Sequence, residues 1–166
     1  GLPTSGLRFF TVYGPWGRPD MALFKFTRAI LRGEPIDVYN HGQQRRDFTY
    51  VDDVVEATLR VMRLVPTLNP TWDSQHPHPA AAAAPYRVVN IGNHAPVPLL
   101  DFIAAVEKCL GRRAELRLLP AQPGDVPETH ADSHALETLT GFRPATSIDD
   151  GIARFVAWYR EHYADR

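Results

Sequence analysis

The sequence predicts an α/β or α+β domain, on three observations. Two dense apolar runs, 6–13 and 86–91, are rich in aromatic and β-branched residues and read as strands. Four longer segments repeat apolar residues at helical spacing. Strand-like and helix-like segments alternate along the chain. The 166 residues allow one domain, or one domain plus part of another. With 44% hydrophobic and 22% charged residues, the composition excludes a disordered chain, a collagen and a coiled coil.

The elements follow in order. Residues 6–13, GLRFFTVY, are nearly continuously apolar, as in a parallel strand buried on both faces. GPWGRPD ends the run, because its Gly and Pro residues cannot continue a ladder. A helix is predicted over 21–32, with Leu23, Phe24, Thr27, Ile30 and Leu31 on one face and Gly33 at the C′ position. A short strand over 36–39 and a turn at Asn40-His41-Gly42 precede the extended segment 45–51. The next helix spans about 52–64, with Val51, Val54, Val55, Thr58, Met62 and Val65 as its stripe. Asp52, Asp53 and Glu56 complement its N-terminal dipole.

Residues 66–85 have no period and read as a loop insertion. After the strand 86–91, Pro98 suits the first position of a helix running to Leu110, with Gly111 at C′. A strand over 113–119 and a Pro/Gly loop follow. The last helix runs over 148–163, and Ser147 with Asp150 makes a capping box.

Charge and motifs narrow the function. Lys+Arg is 18 and Asp+Glu 19, a balance that speaks against a dedicated nucleic-acid or membrane-surface binder. Apolar runs are too short for a membrane span, and the first residues do not form a signal peptide. The lone Cys109 has no partner for an internal disulfide and suits a reducing cytosol. No metal is expected. His130 and His134 stand four residues apart, but exposed histidines at a helix start explain the spacing better. The adjacent Asp52 and Asp53 do not face each other, so helix-end charge is the better reading. GQQRRDFTY places two arginines at a loop-to-strand junction. That suits bidentate capture of a diphosphate, and equally an ion pair with Asp47 or Asp53.

Three segments, LRFFTVYGPWGRPDMALFKFTRAIL, IDVYNHGQQRRDFTYVDDVVEA and YRVVNIGNHAPVPLLDFI, together with QPGDVPETHAD and GFRPATSIDDGIARFVAWYREHY, resemble the C-terminal half of UDP-glucuronate 4-epimerases. These belong to the NAD-dependent epimerase/dehydratase family of extended short-chain dehydrogenases. The resemblance spans the chain outside 66–85. It implies an α/β fold: the last parallel strands of a Rossmann-type NAD-binding domain, near 6–13 and 86–91, plus a small substrate domain drawn mainly from 14–50 and 112–166. It implies a homodimeric cytoplasmic enzyme that holds NAD and a UDP-sugar, without nucleic-acid or membrane partners. In such enzymes a Tyr deprotonates the sugar 4-hydroxyl while NAD takes the C4 hydride. The keto sugar then turns over and is reduced on its other face, giving UDP-galacturonate.

The family's Gly-rich loop and Tyr-x-x-x-Lys pair do not occur in this sequence. The chain is therefore expected to be a C-terminal piece with no catalytic residue of its own and no turnover alone. By motif, Thr11 and Arg18 would face the sugar's anionic end, and Ala22 and Leu23 the diphosphate. Asp37, Val38 and Tyr39 would frame the uracil, Arg46 would hold the diphosphate, and Asp125 the ribose. Gln122 stands where many relatives carry Arg, which withholds a second diphosphate cation. Tyr13, Gly14 and Pro15 would line the nicotinamide side. A decarboxylase, a 4,6-dehydratase or a non-catalytic sugar-nucleotide binder remain alternatives.

Overall fold

A computed structural model describes residues 1–163. The elements are β1 (Thr4–Phe9), β2 (Thr11–Tyr13), α1 (Ala22–Arg32), β3 (Ile36–Val38), β4 (Arg45–Tyr50), α2 (Val51–Met62), β5 (Tyr86–Ile91), β6 (Pro96–Pro98), α3 (Leu99–Leu110), β7 (Leu116–Leu118), α4 (His134–Thr140) and α5 (Ile148–Tyr163). The α/β expectation holds. Strands β1 and β5 pair in parallel, Thr4 against Tyr86 through Phe9 against Ile91. Strand β4 is central to a second sheet, parallel to β2 and antiparallel to β6. A third pair joins β3 and β7 in parallel.

The single strand expected over 6–13 is two strands in different sheets. Backbone pairing leaves β5 after Phe9 and resumes on β4 at Thr11. Nor is β1 buried on both faces: Phe9 is half exposed, because β1 has only β5 beside it among the described residues. Two apolar clusters result. One gathers β1 and β5 under α2 and α4, around Val54, Ala57, Val61, Val89, Ile91 and Leu136. The other packs α1, α3 and α5 against β2 and β4, with Phe48 stacked on Phe102 at 4.0 Å between ring centroids.

The stripe expected on α2 is rotated. Val54, Ala57 and Val61 are buried, whereas Val55, Met62 and Val65 are exposed. This helix is apolar on most of its circumference, so periodicity alone does not choose the buried face; β1, β5 and α4 choose it. Pro98 is not the first helical residue. Its ψ of 139° is extended, it pairs with Arg45 in the sheet, and the Leu99 N–H donates to the Gln44 carbonyl at 2.8 Å. Gly33 and Gly111 close α1 and α3 in the left-handed region, as expected.

The α5 cap is real, with altered reciprocity. The Asp150 N–H donates to Ser147 Oγ at 3.1 Å, and the Ser147 hydroxyl donates to the Asp150 carboxylate at 2.7 Å. Ser147→Ala is expected to lower stability by about 1 kcal/mol in urea unfolding, the usual worth of an N-cap.

Candidate functional site

A cleft of about 870 Å³ opens where β1 gives way to β2 and the loop that follows. Thr11, Tyr13, Gly14, Pro15 and Arg18 all line it, with Phe9, Phe10 and Val51 supplying apolar wall. Gly14 has φ 143°, and a Cβ there would strike the Val51 side chain and the Tyr50 ring. Only glycine lets the chain turn this close to the start of α2. A narrow recess below the cleft is lined by Thr11, Arg18, Ala22 and Leu23. Ala22 and Leu23 are the first two residues of α1, where backbone N–H groups lack intrahelical acceptors.

Two expectations for this cleft are modified. Tyr13 lines it, but the ring is 6% exposed and its hydroxyl donates to the Ser147 carbonyl at 3.3 Å. Burial, then the nearby Asp53, pushes that phenol well above its usual pKa. The hydroxyl therefore ties the cleft wall to the start of α5. A phenol pKa raised on folding stabilises below its unfolded value, about 10, and the stabilisation is lost as pH rises beyond it. Tyr13→Phe is expected to flatten the alkaline fall in the urea midpoint above pH 10 while leaving ligand affinity within about twofold, less than about 0.5 kcal/mol.

Arg18 is exposed but engaged. Its Nε and Nη2 meet the two Asp20 carboxylate oxygens at 3.0 and 2.5 Å, and this pairing holds Asp20 below the usual carboxylate range. Next to it Trp16, at φ 61° and 78% exposed, leans on Trp158 and His162 with centroids 5.3 and 5.1 Å away.

The second cluster is built on β4. Strand alternation turns Arg46 and Asp47 to opposite faces. Arg46 Nη2 meets Asp125 Oδ1 at 2.5 Å, and its Nη1 donates to the carbonyls of Arg45 and Pro127 at 2.9 and 3.3 Å. The amide of the buried Gln44 donates to the other Asp125 oxygen. Gln122 is exposed, and its carbonyl accepts the Asp125 N–H at 3.2 Å in a tight turn. The arginines of GQQRRDFTY thus pair with neither Asp47 nor Asp53; Arg45 meets Glu128 at 3.3 Å.

Asp47 is fully buried beneath. Its two oxygens accept the Asn93 N–H at 2.7 Å and the Ala131 N–H at 2.9 Å, and its own N–H donates to Thr129 Oγ1 at 3.2 Å. Thr129 also lines the cleft, so the buried Asp47 anchor borders it. Gln44, Asp20 and Thr129 were missed by sequence reasoning; nothing local marks them, since each acts through a partner distant in the chain or across a turn.

Asp37, Val38 and Tyr39 are not in the cleft lining. Asp37 is the register partner of Arg117 and accepts from its Nε at 2.5 Å. The Val38 side chain is fully buried in the core, which leaves only its backbone to meet a ligand. His130 lies outside α4, which begins at His134, so the two imidazoles do not share a helix face. Among the described residues, no three His, Cys, Asp or Glu side chains gather to hold a metal ion. No helix there is long and apolar enough to cross a membrane.

Residues 1–71 match the model of the NAD dependent epimerase/dehydratase family. A probable UDP-glucuronate 4-epimerase of Rhizobium meliloti is 51% identical over 163 residues, covering 98% of this chain and 48% of the relative. The chain is similar to members of the NAD-dependent epimerase/dehydratase family. Protein CapI of Staphylococcus aureus, 55% identical, covers 98% of the chain and 48% of its own length. The chain spans about half the length of the curated relatives it matches. A solved structure, UDP-glucuronic acid 4-epimerase from Bacillus cereus with UDP-glucuronic acid and NAD, superposes with a TM-score of 0.80 at 31% identity, covering 97% of this chain and 46% of that one.

Proposed function

We propose that this chain is the sugar-nucleotide-binding part of a UDP-glucuronate 4-epimerase. The observation that carries the proposal is the Arg46–Asp125–Gln44 cluster, together with a cleft lined by Thr11 and Arg18. A guanidinium fork beside a carboxylate suits a nucleoside diphosphate: the fork takes the diphosphate and the carboxylate accepts from ribose hydroxyls. Thr11 and Arg18 sit where the uronate would reach, and Ala22 and Leu23 offer helix N–H groups to anionic oxygen.

The cleft has the size of a small-molecule site, roughly 300–1,000 Å³, and its Phe9, Phe10 and Val51 wall fits a flat cofactor ring. NAD, when bound, would accept the C4 hydride and return it. This chain's own residues would bind and orient the sugar. Holding the carboxylate matters, because a 4-keto uronate is a β-keto acid. Contacts from Thr11 and Arg18 would keep its carboxylate bond out of line with the keto π system and so prevent loss of carbon dioxide.

In this reading β1 and β5 belong to the dinucleotide-binding sheet, while 14–50 and 112–166 form most of the substrate domain. The enzyme is cytoplasmic and works as a homodimer, with Tyr-x-x-x-Lys supplied outside this sequence. Titration calorimetry with UDP tests the proposal: micromolar binding supports it, and absence of binding to a folded chain overturns it. Full-length enzyme given UDP-glucuronate and NAD should yield UDP-galacturonate; UDP-xylose as the product would sink the epimerase assignment. Asp20→Ala frees the Arg18 fork. It is expected to tighten UDP-glucuronate several-fold, by about 1 kcal/mol, and to leave UDP unchanged.

A further inference from the structure

On a different part of the molecule, α1, α3 and α5 end together around a cavity of about 330 Å³. Arg28 and Arg32 come from the last two turns of α1, Arg112 follows the end of α3, and Arg160 lies in the last turn of α5. Tyr159 and Tyr163 complete the wall with Leu31, their rings stacked 5.0 Å apart at 20°. Among the described residues no carboxylate lines this cavity. Glu34 approaches Arg32 only at 3.9 Å, and Arg112 spends one N–H on the Leu31 carbonyl at 2.6 Å.

A plain alternative is that each arginine offsets a helix C-terminus. Charge counting decides against it as the whole account. Three helix ends contribute about −0.5 each and Glu34 beside Arg32 about −1, roughly −2.5 together, against four guanidiniums. About one and a half positive charges are left over. A cavity of this volume is about 9 Å across, close to the Debye length of about 8 Å at physiological salt, so these exposed charges repel one another chiefly at low salt. Arg28 and Arg32 line the cavity together with Tyr159, and both lower its burial-raised pKa. Such a concentration of guanidinium beside a flat aromatic pair is the chemistry that takes a phosphate dianion or a diphosphate, with a planar ring able to lie on the tyrosines.

We propose that the cavity among Arg28, Arg32, Arg112 and Arg160 is a second, phosphate-binding site, separate from the cleft, for a phosphorylated small molecule carrying at least two negative charges. The site stands independently of the epimerase assignment, because it shares no residue with the Arg46 cluster or the cleft.

The test is titration calorimetry at low salt on an Arg46→Ala background, which cripples the diphosphate position of the cleft. Sodium diphosphate is expected to bind with a submillimolar Kd. R32Q/R160Q, both exposed surface positions, should weaken it at least tenfold, and R28Q alone about threefold, with unchanged thermal melting. Equal affinity in R32Q/R160Q, or no binding at all in the Arg46→Ala protein, overturns the proposal. AMP in the same titration identifies the source of the phosphate. Tighter binding than diphosphate supports the site as one for a nucleotide whose ring meets Tyr159 and Tyr163. Weaker binding supports it as one for a polyphosphate without a base. Loss of UDP binding by the cleft would fail the proposed function and leave this site untouched.

Discussion

Asp47→Ala is expected to lower the unfolding free energy by about 3–5 kcal/mol, because it leaves two buried N–H groups without acceptors at roughly 1–3 kcal/mol each and opens a hole among them. The groups are the N–H of Asn93, just past β5, and of Ala131, in the segment leading to α4. Asp47 thereby fastens β5 and the 131 segment to β4, and it is fully buried. The space is closed on its other side by Gly92, where a Cβ would strike that of Ala131. Gly92→Ala should therefore destabilise by a similar amount through overpacking, of the order of 3 kcal/mol. Both effects are read in urea unfolding of the chain. An Asp47→Ala midpoint within error of wild type would mean that the carboxylate is not the acceptor holding these segments. Asp47→Asn should recover only part of the loss, since its amide offers one acceptor oxygen to two donors.

One residue earlier, Arg46→Ala should abolish tight UDP binding with much less effect on folding. Charge-assisted hydrogen bonds from a fork contribute about 1.5–3 kcal/mol, so affinity should fall roughly 10- to 150-fold. Arg46 also ties the 125–127 segment to β4 through Asp125 and Pro127. A stability loss near 1 kcal/mol is expected, the upper end for an ion pair that keeps part of its surface in water. Arg46→Lys separates charge from geometry: a point charge on a flexible stem restores part of the attraction and loses the bidentate fit. Asp125→Ala weakens UDP binding as well, but it should not weaken inorganic diphosphate if the carboxylate serves the ribose. Unchanged UDP affinity in Arg46→Ala would remove the main support for the proposed function.

The contrast between these neighbours also shows where local sequence runs out. Long helices were legible, because α1, α3 and α5 repeat apolar residues over three turns or more, and Gly33 and Gly111 mark two of the ends. The short elements β6 and α4 were not, since three and seven residues are too few to show a period. The break at Phe10 was hidden too, because GLRFFTVY stays apolar while its hydrogen bonding passes from β5 to β4. In the candidate site, Arg46 stood out by its loop-to-strand setting, yet its partner Asp125 lies 79 residues away. Tyr13 was legible as a lining residue, but its hydroxyl is claimed by α5, which no motif records.

By itself the sequence determined the α/β class, the four long helices, the proline-rich loop and the resemblance to an epimerase C-terminal half, because each is written in spacing or in contiguous residues. Only the tertiary structure decided which face of α2 is buried, that Asp47 is the interior acceptor, that Arg18 is held by Asp20, and that four arginines from three helix ends share one cavity. The physical reason is that burial, hydrogen-bond acceptance and charge density are properties of neighbours in space. Chain closure brings those neighbours together from positions whose separation in sequence carries no periodic signal.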